Sequence, residues 1–452
     1  MEALLRDAAA RSISYLAALD ERRVSPSPSA LEGLSRFSRP LQDRPLPAGE
    51  VLEELDTIGS PASVASAGGR FFGFVIGGSL PAALAANILA AAWDQNAGLE
   101  TSSPVAAALE RVCRTWIVGL LGLPTEAEVG FVTSATMANF AGLAAGRHAL
   151  LQAQGWDVEA RGLFGAPSIT VIVGDEVHVS LLKAFSLLGL GRERVVRVSV
   201  DGQGRMIPEH VPEIQGPTMV CHQAGNVNTG AFDPVEEVAS KLQGTGAWIH
   251  VDGAFGLWAA ASPSRRHLAR GVERANSLAT DAHKWLNVPY DSGLVIVRDG
   301  RHLNAAMSAS AAYLIEGQTR DPHLFVPELS RRARGIEIWA ALRSLGKAGL
   351  ADLIDRCCEH ARHFAAALEA AGHQVLNEVV LNQVLVSFGT AELTRRVIAR
   401  VQEEGTCWCG GTVWQGKTAM RISVSSWATT ERDVARSLDA ILRIAAEVQS
   451  SA

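Results

Sequence analysis

Between residues 79 and 340, short apolar runs alternate with segments of helical length. EVGFVTS, SITVIVGDE, RVVRVSV, TMVCHQAG, AWIHVDGAF and SGLVIVRD are rich in Val and Ile. Most lack polar alternation, which is the pattern of strands covered on both faces. Helix-length stretches such as MANFAGLAAGRHALLQAQ and PVEEVASKLQ lie between several of them. The alternation predicts an α/β fold, a mostly parallel sheet with helices on both sides. Ligands of such sheets sit beyond the carboxyl ends of the strands. Residues 341–452 read as a smaller α+β domain, with two long helices, the short strands HQVLNEV, NQVLVSF and AMRISVSS, and a closing helix RDVARSLDAILRIAAEVQ. Residues 1–78 read as a helical arm interrupted by the Pro/Ser-rich VSPSPSALEGLSRFSRPLQDRPLPAGE. An arm on such a strap packs on a neighbouring subunit, so a homodimer is expected.

Composition narrows the class. The chain has 452 residues, 48% hydrophobic and 19% charged, with a net charge of −6. That is ordinary globular composition with no basic footprint for nucleic acid or an anionic membrane. The N-terminus MEALLRDAAARSISYLAALDERR mixes acids and bases and lacks the layout of a signal peptide. The apolar run from Phe71 to Trp93 approaches spanning length, but Pro81, Asn87 and several glycines point instead to a buried turn leading into a core helix. The six cysteines form no metal-binding spacing, so reduced buried thiols, no metal site and a soluble cytoplasmic protein acting on small molecules are expected.

Candidate chemistry gathers at the ends of the apolar runs. Asp252 closes the run AWIHVD, and Gly253 and Ala254 after it leave room for a flat ring. A carboxylate in a dry pocket needs a cation, and a protonated pyridine nitrogen is one; a helix cap or turn is the plainer role. Lys284, in His283-Lys284-Trp285, lies in an otherwise apolar or small segment. A desolvated lysine there forms an imine with an aldehyde, against the ordinary alternative of a solvated surface lysine. Ser134-Ala135-Thr136 joins a strand to a helix start, which suits either a phosphate or simple capping. His178 follows the strand SITVIVGD and can stack on a ring or merely open a helix. Asn226, in GNVNTGAFDP, can address a ring hydroxyl or serve turn chemistry. Together these residues supply the phosphate seat, stacking group, pyridinium partner and imine lysine that pyridoxal 5′-phosphate (PLP) requires.

These motifs resemble the fold type I, group II PLP-dependent decarboxylases, which include aromatic-L-amino-acid, glutamate and tyrosine decarboxylases. HVDGAFG and DAHKWL resemble the family's pyridinium-aspartate strand and lysine segment, and SSPVAAALERVCRTWIVGLLGLP its Ser-Pro helix. FVTSATMAN resembles the phosphate turn, DEVHVSLLKAFSLLGLG the segment of the stacking histidine, and SRRARGIEIWAALRSLG the arginine-rich entry to the small domain. MRISVSSWATTERDV is similar to the C-terminal pattern that places Arg421 as a carboxylate-binding or structural arginine. The resemblance implies a seven-stranded, mostly parallel sheet in the large domain and a PLP Schiff base on Lys284. It further implies Asp252 on the ring nitrogen, His178 stacked on the ring, His283 beside the phosphate, Ala135 and Thr136 on the phosphate, and Asn226 near the ring hydroxyl.

The chain departs from the family in the phosphate turn, which is one residue shorter than the common Thr-Ser-Gly-Gly form, and in three further places. Asp281 stands where the family has Asn, an odd neighbour for a phosphate dianion unless it faces elsewhere, and Asn226 replaces a common Thr. The family's aromatic decarboxylases use a loop tyrosine to protonate the carbanion left by CO2 loss, yet IEGQTRDPHLFVPELSRR has none. His323 is the histidine of that stretch, the residue type suited to proton transfer near neutral pH, so it is either the replacement acid or a surface histidine. Decarboxylation of an aromatic or hydrophobic L-amino acid is the expected reaction. Diversion of the carbanion to oxygen with aldehyde release, aminotransfer, carbon–carbon cleavage and a PLP-binding scaffold without turnover are the alternatives.

Overall fold

The six Val- and Ile-rich runs form strands, and a seventh strand lies where no such run exists. The computed structural model describes residues 1–308 and 320–451. The strands are β1 (Glu128–Val132), β2 (Thr170–Gly174), β3 (Val196–Val198), β4 (Thr218–Gln223), β5 (Trp248–Asp252), β6 (Ser277–Asp281) and β7 (Gly293–Val297). They make one sheet in the order β1-β7-β6-β5-β4-β2-β3. Only β7 runs against its neighbours, β1 and β6, and the other pairings are parallel. The unanticipated strand, β6, reads SLATD and is buried along its whole length. Its polar side chains are tolerated because they are bonded; the Ser277 hydroxyl, for one, accepts the Trp248 indole N–H at 2.8 Å.

Register brings the chemistry to one edge. Gln223 of β4 pairs with Asp252 of β5, and Asp252 with Ala279 of β6. The parallel strands therefore end together, and the turns after them form one rim. The Ala135–Gln152 helix covers this part of the sheet through a face of small residues. Its Gly146 is required by close approach, since a Cβ there would stand 2.8 Å from the Trp248 ring.

Two compact units emerge: Ser79–Glu359 with Asn377–Gln383, and Met1–Gly78 with His360–Leu376 and Val384–Ala452. The boundaries expected from the sequence are 78/79 and 340/341. The units part at 78/79 and again at 359/360, inside the Gly335–Ala370 helix, whose own break is at Gly346 with φ +59°. The second unit carries a four-stranded sheet of β8 (Gln374–Val375), β9 (Gln383–Ser387), β10 (Gly410–Trp414) and β11 (Lys417–Ser423), ordered β10-β11-β9-β8. Its closing helix, Glu431–Ser450, starts on a capping box of Thr430 and Asp433 and buries Val434, Leu438, Ile441 and Ile444 along one stripe.

The Phe71–Trp93 run differs from its expected form. Pro81 opens a helix to Trp93, but that helix buries only Ala83 and Ala90, leaving Ile88, Leu89 and Trp93 exposed. It is an apolar surface helix. Among the described residues, no helix is long and apolar enough to cross a membrane.

Candidate active site

Asp252 ends β5 and is buried. One oxygen accepts the Ala254 N–H at 3.2 Å and the other accepts the Asn139 amide N–H at 3.0 Å. His178, Gln223, Asp252, Ala254 and Lys284 line one cavity at the rim. The turn after β4 reaches this cavity through Gly225, which has φ +94° and whose Cβ would stand 2.8 Å from Gly256 Cα. His178 caps the Val179–Leu187 helix, its Nδ1 lying 2.7 Å from the Ser180 hydroxyl and accepting the Ser180 N–H at 3.3 Å. Both of the plain roles available to these residues, capping for His178 and turn bonding for Asp252, are therefore met at the wall of the same cavity.

Lys284 lies in the turn between β6 and β7. The turn is pinned by Ala282 N–H and His283 N–H, both donating to the Ser292 carbonyl at 3.0 and 3.2 Å, and by Asn287, which donates to the Lys284 carbonyl. Trp285 and Leu286 are fully buried and hold the segment down, while the Lys284 side chain remains 19% exposed toward the cavity. Its Nζ lies 3.0 Å from Asp281 Oδ2. His283 accepts the Ser292 N–H on Nδ1 at 3.0 Å, so its neutral form carries the proton on Nε2, which faces Asp281 Oδ1 at 3.5 Å. Burial holds the His283 pKa below the ordinary value against the pull of Asp281. The Tyr290 ring stacks on His283 with centroids 4.1 Å apart.

Asp281 does not face elsewhere. Its Oδ1 accepts the Ala135 N–H at 2.5 Å, at the first residue of the Ala135–Gln152 helix. Ser134, the N-cap of that helix, makes no side-chain capping bond, and Thr136 is the second helical residue. Gly293 lets β7 come this close, because a Cβ there would stand 2.5 Å from the Ser134 carbonyl carbon. One carboxylate thus links the phosphate-type turn to the lysine.

Asn226 is buried, and its side-chain oxygen accepts the N–H groups of Asn228 and Thr229 at 2.9 and 3.2 Å. Turn chemistry engages that oxygen, as the plainer reading of the sequence allowed. His323 is buried rather than on the surface. It sits in the Pro322–Phe325 turn, donates its backbone N–H to Gly98 O at 3.0 Å, and places Nδ1 3.3 Å from the same oxygen. The described residues lining the cavity do not include it. Tyr313 and residues 315–319 lie outside the described residues. Arg421 belongs to the other compact unit, where burial lowers its pKa. Gln223, Asn139 and Tyr290 were not anticipated from the sequence. Only the register at the end of β4 could have flagged Gln223.

The residues present fit PLP. An amine, a buried carboxylate and an imidazole share a cavity, and a helix N-terminus whose own N-cap side chain makes no capping bond is tied to the lysine through Asp281. Comparison with known proteins agrees. Residues 32–390 match the pyridoxal-dependent decarboxylase conserved domain. The chain belongs to that family. Membership makes it a carboxy-lyase of amino acids with PLP as cofactor. An aromatic-L-amino-acid decarboxylase of Bacillus atrophaeus is 27% identical over 389 residues, covering 81% of this chain and 77% of that one. A histidine decarboxylase of Drosophila melanogaster is 28% identical over 466 residues, covering 96% of this chain and 54% of that one. The fold matches the crystal structure of Oryza sativa TDC with PLP and tryptamine at a TM-score of 0.91, with 23% identity over 99% of this chain and 97% of the other.

Proposed function

We propose that this family member decarboxylates an aromatic or other apolar L-amino acid, with PLP carried on Lys284. The observation that carries the reading is the shared cavity of Lys284, Asp252 and His178. When bound, the cofactor supplies an aldehyde that condenses with an amine and a ring that accepts the electron pair left by departing CO2. Lys284 is the amine that holds it, and Asp252 meets the ring nitrogen. His178 lies against the ring, with Ala254 leaving space on the strand side. Ser134, Ala135 and Thr136 present the helix start to the phosphate. His283 stands beside it, with its Nε2 proton fixed by the Ser292 contact. Asn226 has its amide nitrogen to offer the ring hydroxyl, its oxygen being taken by the turn.

The leaning toward an apolar side chain is supported by Val227 and Phe255 in the cavity wall. A homodimer is proposed because the Glu2–Ala17 helix buries none of its residues and the Pro81–Trp93 helix exposes Ile88, Leu89 and Trp93. A cytoplasmic location is proposed from six free, buried cysteines. The test is borohydride fixation of the PLP-loaded protein followed by peptide mapping, with CO2, amine, aldehyde and peroxide measured for each common amino acid. Cofactor fixed on Lys284 and amine from an aromatic or aliphatic substrate support the reading. Full activity in Lys284→Ala sinks it, and aldehyde with peroxide replaces amine release by the oxygen-consuming route.

A further inference from the structure

Behind Asp252 runs an unbroken line of hydrogen bonds that the chemistry above does not use. Asn139 donates its amide N–H to Asp252 Oδ2 at 3.0 Å. The Asn139 oxygen lies 2.8 Å from His250 Nε2, and His250 Nδ1 lies 2.8 Å from the Ser277 hydroxyl. That hydroxyl accepts the Trp248 indole N–H at 2.8 Å. Asn139, His250 and Ser277 are fully buried, and Trp248 and Asp252 are each 4% exposed.

The two ends fix the direction of every proton in the line. A carboxylate only accepts, so Asn139 must turn its N–H2 toward Asp252 and its oxygen toward His250. His250 must then carry its proton on Nε2, leaving Nδ1 as an acceptor. Ser277 must donate to that Nδ1, and its own lone pair receives the donor-only indole. All four bonds point toward Asp252. The helix covering the line is shaped to it. A Cβ on Gly142 would stand 3.2 Å from His250 Cε1 and one on Gly146 2.8 Å from the Trp248 ring, so the helix bearing Asn139 lies directly on the other members. Burial agrees with a neutral ring, lowering the His250 pKa to about 3.

We propose that Trp248, Ser277, His250 and Asn139 form a positioning relay that fixes the Asp252 carboxylate as partner of the cofactor's ring nitrogen, His250 setting the tautomer on which its direction depends. This rests on the PLP reading of the site. The relay members touch neither cofactor nor substrate and act only through Asp252, so their effect must require the ring nitrogen itself. A cofactor analogue with carbon at that position, 1-deazapyridoxal phosphate, isolates the contribution.

The experiment measures dissociation constants of PLP and of the deaza analogue for the wild type and His250→Phe, with Ser277→Ala as a second variant should the first fail to fold. Lys284 attachment is checked by borohydride fixation throughout. The expected result is about a tenfold loss of PLP affinity in the variants, with analogue affinity changed less than threefold. Equal losses for both cofactors, or no loss for either, overturn the relay while leaving a fixed, yellow wild type to uphold the site. A wild type that fixes no cofactor on Lys284 overturns both.

Discussion

Asp281 joins Lys284 to the helix start, with one carboxylate oxygen 3.0 Å from the lysine Nζ and the other 2.5 Å from the Ala135 N–H. A phosphate docking on that N–H meets an anion already bonded to it. Like charges at such range oppose binding in a partly desolvated site. Asp281→Asn keeps a polar side chain without the charge. PLP should bind this variant about tenfold more tightly at neutral pH, a difference of about 1.4 kcal/mol. Titration of apoprotein with PLP, followed by quenching of tryptophan fluorescence, measures it; unchanged binding would show that the carboxylate does not oppose the phosphate, and weaker binding that it helps.

Stability should carry a signature of His250. Its pKa is lowered from 6.5 to about 3 by burial in the folded protein. Between those values the unfolded chain binds the proton and the folded one does not. The contribution is therefore complete above about pH 6.5 and is lost as the pH falls toward 3, at a slope of up to about 1.4 kcal/mol per pH unit. Denaturant unfolding at pH 6.5, 5.5 and 4.5 should show a shallower fall in His250→Gln than in the wild type. Parallel curves would contradict the assignment.

Gly293 faces the Ser134 backbone with no room for a methyl group, its Cβ falling 2.5 Å from the Ser134 carbonyl carbon. Gly293→Ala must push β7 from the helix start. We expect a loss of about 1–3 kcal/mol in stability and weaker PLP binding, since the displaced turn is the proposed phosphate seat. Denaturation midpoints together with cofactor titration check both parts; a stable variant with wild-type affinity would refute the close approach.

Trp93 and Ile88 keep 45% and 60% of their surface exposed on an otherwise apolar helix. If a second copy covers this face, Ile88→Glu should shift the protein toward monomer in size-exclusion chromatography with light scattering. A wild type that already runs as a monomer at micromolar concentration would dismiss the dimer.

Strands covered on both faces announce themselves by composition, which is why β1, β2, β4, β5 and β7 were legible. β6 was not, because SLATD has the polarity of a loop. Its burial depends on partners elsewhere in the chain, such as Trp248, 29 residues from Ser277. The same reason hid Asn139, whose partners Asp252 and His250 are 113 and 111 residues away. Asp281 stood out by its type, but its destination did not, since Ala135 lies 146 residues earlier. Motif spacing marks residues that act within one turn; it says nothing of bonds made by a fold that brings distant turns together.

The Ala135–Gln152 helix offers its first N–H at one end and the Asn139 amide one turn later, about 6 Å along its axis. In the proposed site, both anchors of a planar ligand, the anionic tail and the aromatic nitrogen, would be referenced to this one helix. A shift of that helix would then carry both anchors together, so their spacing would be kept even as the helix moves.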